Sequence, residues 1–391
     1  MPIINRIAEF HADMTAWRRD IHAHPELAFA ETRTADVVAR KLAEWGITVD
    51  RGLAKTGVVG TLRAGSGKRA IGLRADMDAL PLPEKNGFAH ASRHPGKMHA
   101  CGHDGHTTML LGAARYLAET KNFDGTIHFI FQPAEEGEGG GRAMVEEGLF
   151  TKFPVEAVYG MHNMPGIPVG KFAIRPGPMM ASSDIFEIAV TAKGGHAAFP
   201  HRAVDAIVVA SQIVTALQSI VARNVDPVET AVVSVTQVHA GDAWNVLPDD
   251  AVIRGGTRAF STAMQDLLER RIREVAEGIC RAYGAEMKFM YERRYPPLVN
   301  HGEPTAFCAE VARDVAGRAN VDDATPPLMG SEDFAFMLQA QKGAYIFVGN
   351  GAEGETGGCM VHNPHYDFND EILPLGATYW VRLAETALAR R

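Results

Sequence analysis

Gly125-Thr126-Ile127-His128-Phe129-Ile130-Phe131-Gln132-Pro133-Ala134-Glu135-Glu136-Gly137 begins as an apolar strand and ends in two adjacent carboxylates. The first seven residues read as a strand, which ends in Gln132-Pro133-Ala134-Glu135-Glu136-Gly137. The pattern recurs on either side. Upstream, Ala70-Ile71-Gly72-Leu73-Arg74-Ala75 runs into Asp76-Met77-Asp78-Ala79-Leu80-Pro81. Downstream, Ala157-Val158-Tyr159-Gly160-Met161 runs into His162-Asn163. Helical segments separate the three, one after residue 106 and one near 141–147. Strands alternating with helices predict an α/β fold with a mostly parallel central sheet and helices on both faces. In such sheets chemistry collects beyond the carboxyl ends of the strands, where these polar groups fall.

Between the first two strands lies His99-Ala100-Cys101-Gly102-His103-Asp104-Gly105-His106, followed by the apolar Met109-Leu110-Leu111-Gly112-Ala113-Ala114. This reads as a loop rich in coordinating groups feeding a buried helix. Thiolate and imidazole suit zinc, and also manganese or cobalt. Cys101-x-His103 has no second Cys/His pair nearby, so further ligands must come from far along the chain, as in catalytic rather than small structural sites. Cys101 and His103 are the metal candidates here. His99, Asp104 and His106 are assigned to support of the loop or helix start.

Outward from this centre, residues 3–22 carry Ile4, Ile7, Phe10, Met14, Trp17 and Ile21 at helical steps, and a second helix covers about 32–45 before Gly46. Residues 56–63 form a further short strand. From about 183 the texture changes. Strands at 184–192, 230–238, 250–259 and 286–292 alternate with helices at 203–222 and 261–283, giving β-α-β-β-α-β, a ferredoxin-like unit. After Pro296-Pro297 the first texture returns, with a helix at 304–317, a strand at 344–349 and a closing helix near 374–390. The expected organisation is a metal-binding catalytic domain of residues 1–182 and 296–391, interrupted by an inserted domain of residues 183–295.

The chain has 391 residues, too many for one ordinary domain, and its 46% hydrophobic content supports a sizeable core. The net charge of −8 is dispersed, and no basic block points to nucleic acid. Four cysteines without a paired framework suit a reducing compartment. No run of about 18 apolar residues is present, so no transmembrane helix is expected. Met1-Pro2-Ile3-Ile4-Asn5-Arg6 does not read as a signal peptide. The expectation is a cytoplasmic protein with no membrane partner.

If Cys101, His103, Glu136, His162 and His362 converge, they supply a thiolate, three imidazoles and a carboxylate, enough for two metals if one ligand bridges. A bimetallic site polarises a carbonyl and lowers the pKa of bound water. Glu135, beside a ligand carboxylate, is the natural base, and Asp78 could fix a ligand histidine's tautomer. Singly, each has an ordinary reading: Glu135-Glu136 as solvated charge, His162 as a core histidine, His362 and His365 as a surface turn. Only the joint pattern raises them. Cys101 as a nucleophile is the competing chemistry, although Cys-x-His is too local for the usual Cys-His dyad. Gly137–Gly141 lacks the Gly-Lys-Ser/Thr of a phosphate loop.

Several stretches carry a resemblance in combination: Arg19-Asp20-Ile21-His22-Ala23-His24-Pro25-Glu26-Leu27, Arg74–Pro81, Met98–His106, Phe131–Gly137, Gly194-Gly195-His196-Ala197-Ala198-Phe199-Pro200-His201, Asn245-Val246-Leu247-Pro248, Gly330-Ser331-Glu332-Asp333-Phe334 and Val361-His362-Asn363-Pro364. Over almost its whole length the chain resembles the dinuclear-metal amidohydrolases related to aminoacylase and carboxypeptidase G2, in the branch of hippurate hydrolase and plant indoleacetyl-amino-acid hydrolases. The resemblance implies Cys101, His103, Glu136, His162 and His362 as metal ligands, Glu135 as general base and Asp78 behind the metals. In more distant relatives a His stands at the place of Asp76 and an Asp in the Cys/His loop, which leaves the bridging ligand open. His196 matches a histidine of the inserted lid that reaches a partner subunit's active site. Asn245 and Arg258 match lid residues near the substrate carboxylate, a task that suits the guanidinium fork.

The implied activity is amide hydrolysis of N-acyl amino acids by two divalent ions (zinc, manganese, cobalt or nickel) in a homodimer joined through the lid. A dipeptidase or carboxypeptidase is the alternative within the same chemistry. A metal-dependent binding dimer without turnover is the alternative outside it.

Overall fold

The computed structural model describes residues 3–390, so the outermost ends of the expected domain limits lie outside the described residues. The chain forms two compact units. The first takes the residues up to Met179, then Val299–Pro326, then Asp333 onward; the second takes Met180–Leu298 and Pro327–Glu332.

The first unit is built on an eight-stranded sheet in the order Thr48–Leu53, Gly57–Ala64, Gly125–Gln132, Ala70–Asp76, Ala157–Pro165, Gly343–Gly351, Phe172–Ala173, Val321–Asp322. Its centre is parallel: Ala70–Asp76 pairs in parallel with both Gly125–Gln132 and Ala157–Pro165, and Gly343–Gly351 in parallel with Ala157–Pro165. Antiparallel pairs flank it. Register aligns the functional ends, with Asp76 opposite Gln132 and His162 opposite Phe347. Strand Gly125–Gln132 is buried along its whole length, which is why it reads as a continuous apolar run. Helix His103–Thr120 packs on helices Leu373–Ala387 and His11–Ala23 above a core including Met109, Leu110, Phe129, Phe131 and Trp380.

Several local features differ from the sequence reading, among them the short strands Phe172–Ala173 and Val321–Asp322. The first helix is two helices, Asn5–Glu9 and His11–Ala23, which meet at the buried Phe10. Thr48–Leu53 is an additional strand. It is mostly solvent-facing and carries Asp50, Arg51 and Gly52, so no apolar pattern marks it; pairing with Gly57–Ala64 makes it a strand.

The second unit has a four-stranded antiparallel sheet ordered Ala231–His239, Asp250–Ala259, Ser183–Thr191, Glu286–Tyr295, with helices Ala206–Asn224 and Thr262–Tyr283. In chain order of its strands this is 2-3-1-4, the ferredoxin-like arrangement, around a core of its own. The helices begin at side-chain caps. Asp205 accepts from Ile207 N and Val208 N, and Ser261 from Met264 N.

Pro327–Glu332, expected with the catalytic domain, goes with this unit. Ala181 N donates to Leu328 O at 3.0 Å and Gly330 O at 2.9 Å, and Arg258 reaches Ser331 Oγ at 3.0 Å. The sequence suggested no membrane-length helix, yet Ala206–Asn224 meets that length and composition. Uncharged Ser, Thr and Gln interrupt its apolar residues without adding charge. Val209, Ala210, Ile213, Leu217 and Ile220 are buried in the unit's core.

Candidate metal and active site

Three parallel strands and two loops deliver the site. Asp78 follows strand Ala70–Asp76, and Glu135 and Glu136 follow Gly125–Gln132. His162 lies within Ala157–Pro165, which runs past it rather than ending there. Cys101 precedes helix His103–Thr120, with His103 as the helix's first residue. His362 lies in the loop after Gly343–Gly351, at φ +63°. Ala134, just before the carboxylate pair, is also left-handed at φ +56°. Such a turn costs a non-glycine residue roughly 1–2 kcal/mol. It is held by Ala134 N donating to buried Glu31 Oε1 at 2.8 Å and Gly140 N donating to Ala134 O at 2.9 Å.

The five candidate ligands come together. Ligand atoms of Cys101, His103 and His162 lie within 4.8 Å of one another, as do those of Cys101, Glu136 and His362 and those of His103, Glu135 and Glu136. Cys101, His103 and Glu136 each belong to two of these trios, so the three groups overlap in one cluster. Tautomers follow from partners that can only accept. His103 Nδ1 donates to Asp78 O at 2.9 Å and is 3.1 Å from Asp78 Oδ1, which turns Nε2 into the cluster. His162 Nδ1 donates to the Asn163 carbonyl at 2.5 Å, leaving Nε2 3.3 Å from Cys101 Sγ. His362 Nε2 lies 3.2 Å from Glu136 Oε1. Asp78 Oδ2 also accepts from Glu136 N at 2.9 Å, so one carboxylate orients a histidine and places a second carboxylate.

Two buried atoms test whether cations fit. His103 Nε2 and Glu136 Oε1 make no well-formed hydrogen bond among the described residues; they lie 4.0 Å apart, with His362 Nε2 3.2 Å from Glu136 Oε1. Orphaned buried acceptors are costly unless a ligand meets them. The charge balance points the same way. Burial resists protonation of His103, but Asp76, Asp78 and Glu136 outweigh it and raise its pKa to about 10. Burial and the charges of Glu136, Glu135 and Asp76 push the Cys101 thiol up. His162 is pushed well below its usual range by burial with His106 alongside. A thiol raised by carboxylates beside a neutral histidine is not a preformed nucleophile. A carboxylate-rich, thiol-and-imidazole pocket that draws positive charge is suited to a divalent cation.

A further trio, Asp76, His103 and His106, is close enough to bind. Asp76, however, already accepts from Arg74 Nη1 and from His106 Nδ1, each at 2.6 Å. Burial raises the Asp76 pKa, but His103, Arg74 and His106 prevail and hold it well below the carboxylate range. His106 also meets Asn163 Oδ1 at 2.7 Å. Asp104 pairs with His22 and Arg18. His99 is buried with neither ring nitrogen bonded among the described residues.

Glu135 is 6% exposed, and Asp333 N donates to its Oε1 at 3.3 Å. Asp333 in turn accepts from Gln132, Arg74 and Gly141 N. The sequence reading missed this buried framework of Glu31, Arg74, Gln132 and Asp333. The available signals were a charged residue inside an apolar strand, Arg74, and an acidic residue beside the apolar Phe334.

His196, Asn245 and Arg258 belong to the second unit. His196 and Asn245 meet on a two-stranded ribbon: His196 pairs with Val246, and Ala197 N donates to Asn245 O at 3.0 Å. Both side chains are exposed. Arg258 is half-buried on strand Asp250–Ala259, where burial lowers its pKa.

Comparisons with known proteins agree with this architecture. The chain is 45% identical over 384 residues to hippurate hydrolase of Campylobacter jejuni, covering 98% of this chain and 99% of that protein. It is 38% identical to N-acetylcysteine deacetylase of Bacillus subtilis, covering 97% and 98%. Among solved structures, the Bacillus subtilis YxeP protein, described as a dinuclear metal binding peptidase from the M20 family, superposes with a TM-score of 0.85 at 35% identity, covering 98% of this chain and 99% of that one. The sequence profile of Peptidase family M20/M25/M40 matches residues 72–386. A profile match across both units, with relatives aligned end to end, places the chain in Peptidase family M20/M25/M40.

Proposed function

We propose that the protein is a metal-dependent amidohydrolase that cleaves the amide of N-acyl amino acids to a carboxylic acid and a free amino acid. The observation that carries this is the convergence of Cys101, His103, Glu136, His162 and His362 with Glu135 alongside. The names of the relatives, hippurate hydrolase and N-acetylcysteine deacetylase, support the substrate class. Cys101, His103, Glu136, His162 and His362 would hold two divalent ions of the zinc, manganese, cobalt or nickel class.

Bound there, the ions supply Lewis acidity toward the scissile carbonyl and an acidified water. Glu135 takes a proton from the water as its oxygen bonds to the carbonyl carbon. It then returns that proton to the amine nitrogen as the C–N bond breaks. Asp78 keeps the His103 ring fixed during the cycle. In this reading Arg258 and Asn245 engage the substrate carboxylate, and His196 serves a partner subunit's site in a homodimer joined through the second unit. Helix Ala206–Asn224 supports that association, with Ile207, Val208 and Val221 exposed on a surface that has no charge before Arg223. Four unpaired cysteines among the described residues suit a cytoplasmic setting.

The test is elemental analysis of the purified protein coupled to a panel of hippurate, N-acetyl amino acids and dipeptides, with and without chelator. Chelator-sensitive release of amino acid from the acyl conjugates is expected. Full activity after thorough metal removal would overturn the reading, and preference for dipeptides would move it to a peptidase. Glu135→Gln is expected to keep its metal and lose turnover by at least 100-fold.

A further inference from the structure

Arg18 is one of the largest fully buried side chains, and it lies on helix His11–Ala23, which contributes no candidate ligand. Its guanidinium meets three carboxylates. Nε donates to Asp370 Oδ1 at 2.7 Å, Nη1 donates to Asp367 Oδ1 at 2.8 Å, and Nη1 is 3.5 Å from Asp104 Oδ2. Asp104 is the residue after His103. Asp367 and Asp370 close the loop that carries His362. One side chain therefore ties two ligand-bearing segments that are remote in sequence.

The His362 loop is long and irregular, and the Arg18 tie is one of its anchors. It runs from Gly351 to the short helix at Asp370–Ile372 without a strand or helix of its own. The His362 side chain is 54% exposed, and its backbone is left-handed. Among the described residues its direct link to the segment of residues 101–103 is one backbone bond, His362 N to Ala100 O at 2.7 Å, while Lys85 N to Pro364 O at 2.9 Å and Asn163 Nδ2 to Tyr366 Oη at 2.6 Å hold the loop to other elements. Metal ligands must be placed to within a few tenths of an ångström, and a long loop does not achieve that unaided. The fork of Arg18 supplies separate donors for Asp367 and Asp370 in a fixed plane, which a lysine ammonium cannot reproduce.

We propose that Arg18 is a positioning residue for the metal centre: by holding Asp367 and Asp370 against Asp104, it sets the placement of His362 and so the affinity for the cation that His362 helps to bind. This rests on the metal-dependent reading above. A merely structural Arg18 would affect unfolding but not the metal affinity of folded protein.

The experiment compares wild type, Arg18→Lys, His362→Ala and the double variant. Each is loaded with zinc, then dialysed against graded chelator. Retained metal is measured per chain by elemental analysis, and folding is checked by circular dichroism at the same temperature. One equivalent should leave Arg18→Lys at a chelator strength about 10- to 100-fold lower than in wild type. The shift should vanish in the His362→Ala background, because the effect acts through His362. Asp367→Asn, which leaves Arg18 paired with Asp104 and Asp370, should show a smaller shift of the same kind and serves if Arg18→Lys does not fold. Wild-type metal retention in folded Arg18→Lys, or in Asp367→Asn where the former does not fold, would overturn the proposal, as would fully additive effects in the double variant. A wild type that takes up no divalent ion would overturn the metal-dependent reading itself, a different result from intact wild-type binding with an indifferent variant.

Discussion

Asp78 serves two neighbours at once, and that makes it the sharpest probe at the scale of single residues. Its backbone and side-chain oxygens accept from His103 Nδ1, and its other carboxylate oxygen accepts from Glu136 N. Asp78→Ala removes the side-chain part of both restraints while leaving every candidate ligand in place. Metal affinity should fall about 10- to 100-fold, read by competition with a chromophoric chelator. Unchanged affinity would mean that the Asp78 carbonyl alone holds the His103 ring. Glu135 differs in kind: its substitution should spare metal affinity and remove turnover. Glu136 was legible beside an apolar strand's end, His162 after an apolar run, and Cys101 and His103 in a dense cluster of coordinating residue types; His362 stood out only in the joint pattern. Arg18, Glu31 and Asp333 were not legible, because their meaning lies in partners such as Asp370, Ala134 and Gln132, far away along the chain.

At the scale of elements, the loop before helix His103–Thr120 is set by close approach rather than by regular hydrogen bonding. Gly102 sits at φ +96°, and a Cβ there would lie 2.3 Å from Asn163 Oδ1 and 2.5 Å from Tyr366 Oη. Those two groups are themselves joined, Asn163 Nδ2 to Tyr366 Oη at 2.6 Å. Gly102→Ala therefore combines an unfavourable φ with a clash against a fixed pair. It should cost about 2–4 kcal/mol in denaturant unfolding. In the second unit, Asp205→Ala removes the acceptor for two backbone amides at the start of helix Ala206–Asn224. It should cost about 1 kcal/mol and leave metal binding unchanged. The elements show what local pattern conveys. Gly125–Gln132 was readable because it is one continuous apolar run, and the ferredoxin-like order because its strands and helices bury periodic apolar sets. Thr48–Leu53 and the placement of Pro327–Glu332 were not, since both depend on what the backbone pairs with and not on what it buries.

For the whole molecule, two buried histidines far from each other in sequence give the stability curve opposite slopes. Burial disfavours a charged His22, but hydrogen bonds to Asp104 and Glu84 prevail and raise its pKa to about 9. A histidine that binds its proton more tightly when folded contributes fully below the unfolded value of about 6.5, and that contribution is lost as pH rises through 9. His128 is the converse. Burial, reinforced by the charge of Arg63, lowers its pKa to about 4. The folded state then holds fewer protons than the unfolded one, so its contribution is present above pH 6.5 and lost as pH falls toward 4. Each shift corresponds to a contribution on the order of 3 kcal/mol. Ligand protonation adds its own acid slope, so the two terms are isolated as differences from wild type in metal-saturated urea unfolding at a series of pH values. His128→Gln, which keeps a side chain able to meet Thr61, should lose less stability than wild type between pH 6.5 and 4 and match its slope above 6.5. His22→Gln should lose less between pH 6.5 and 9 and match its slope below. Parallel curves for either variant across its own window would show that the histidine holds the same protonation state folded and unfolded, and would remove it from this account.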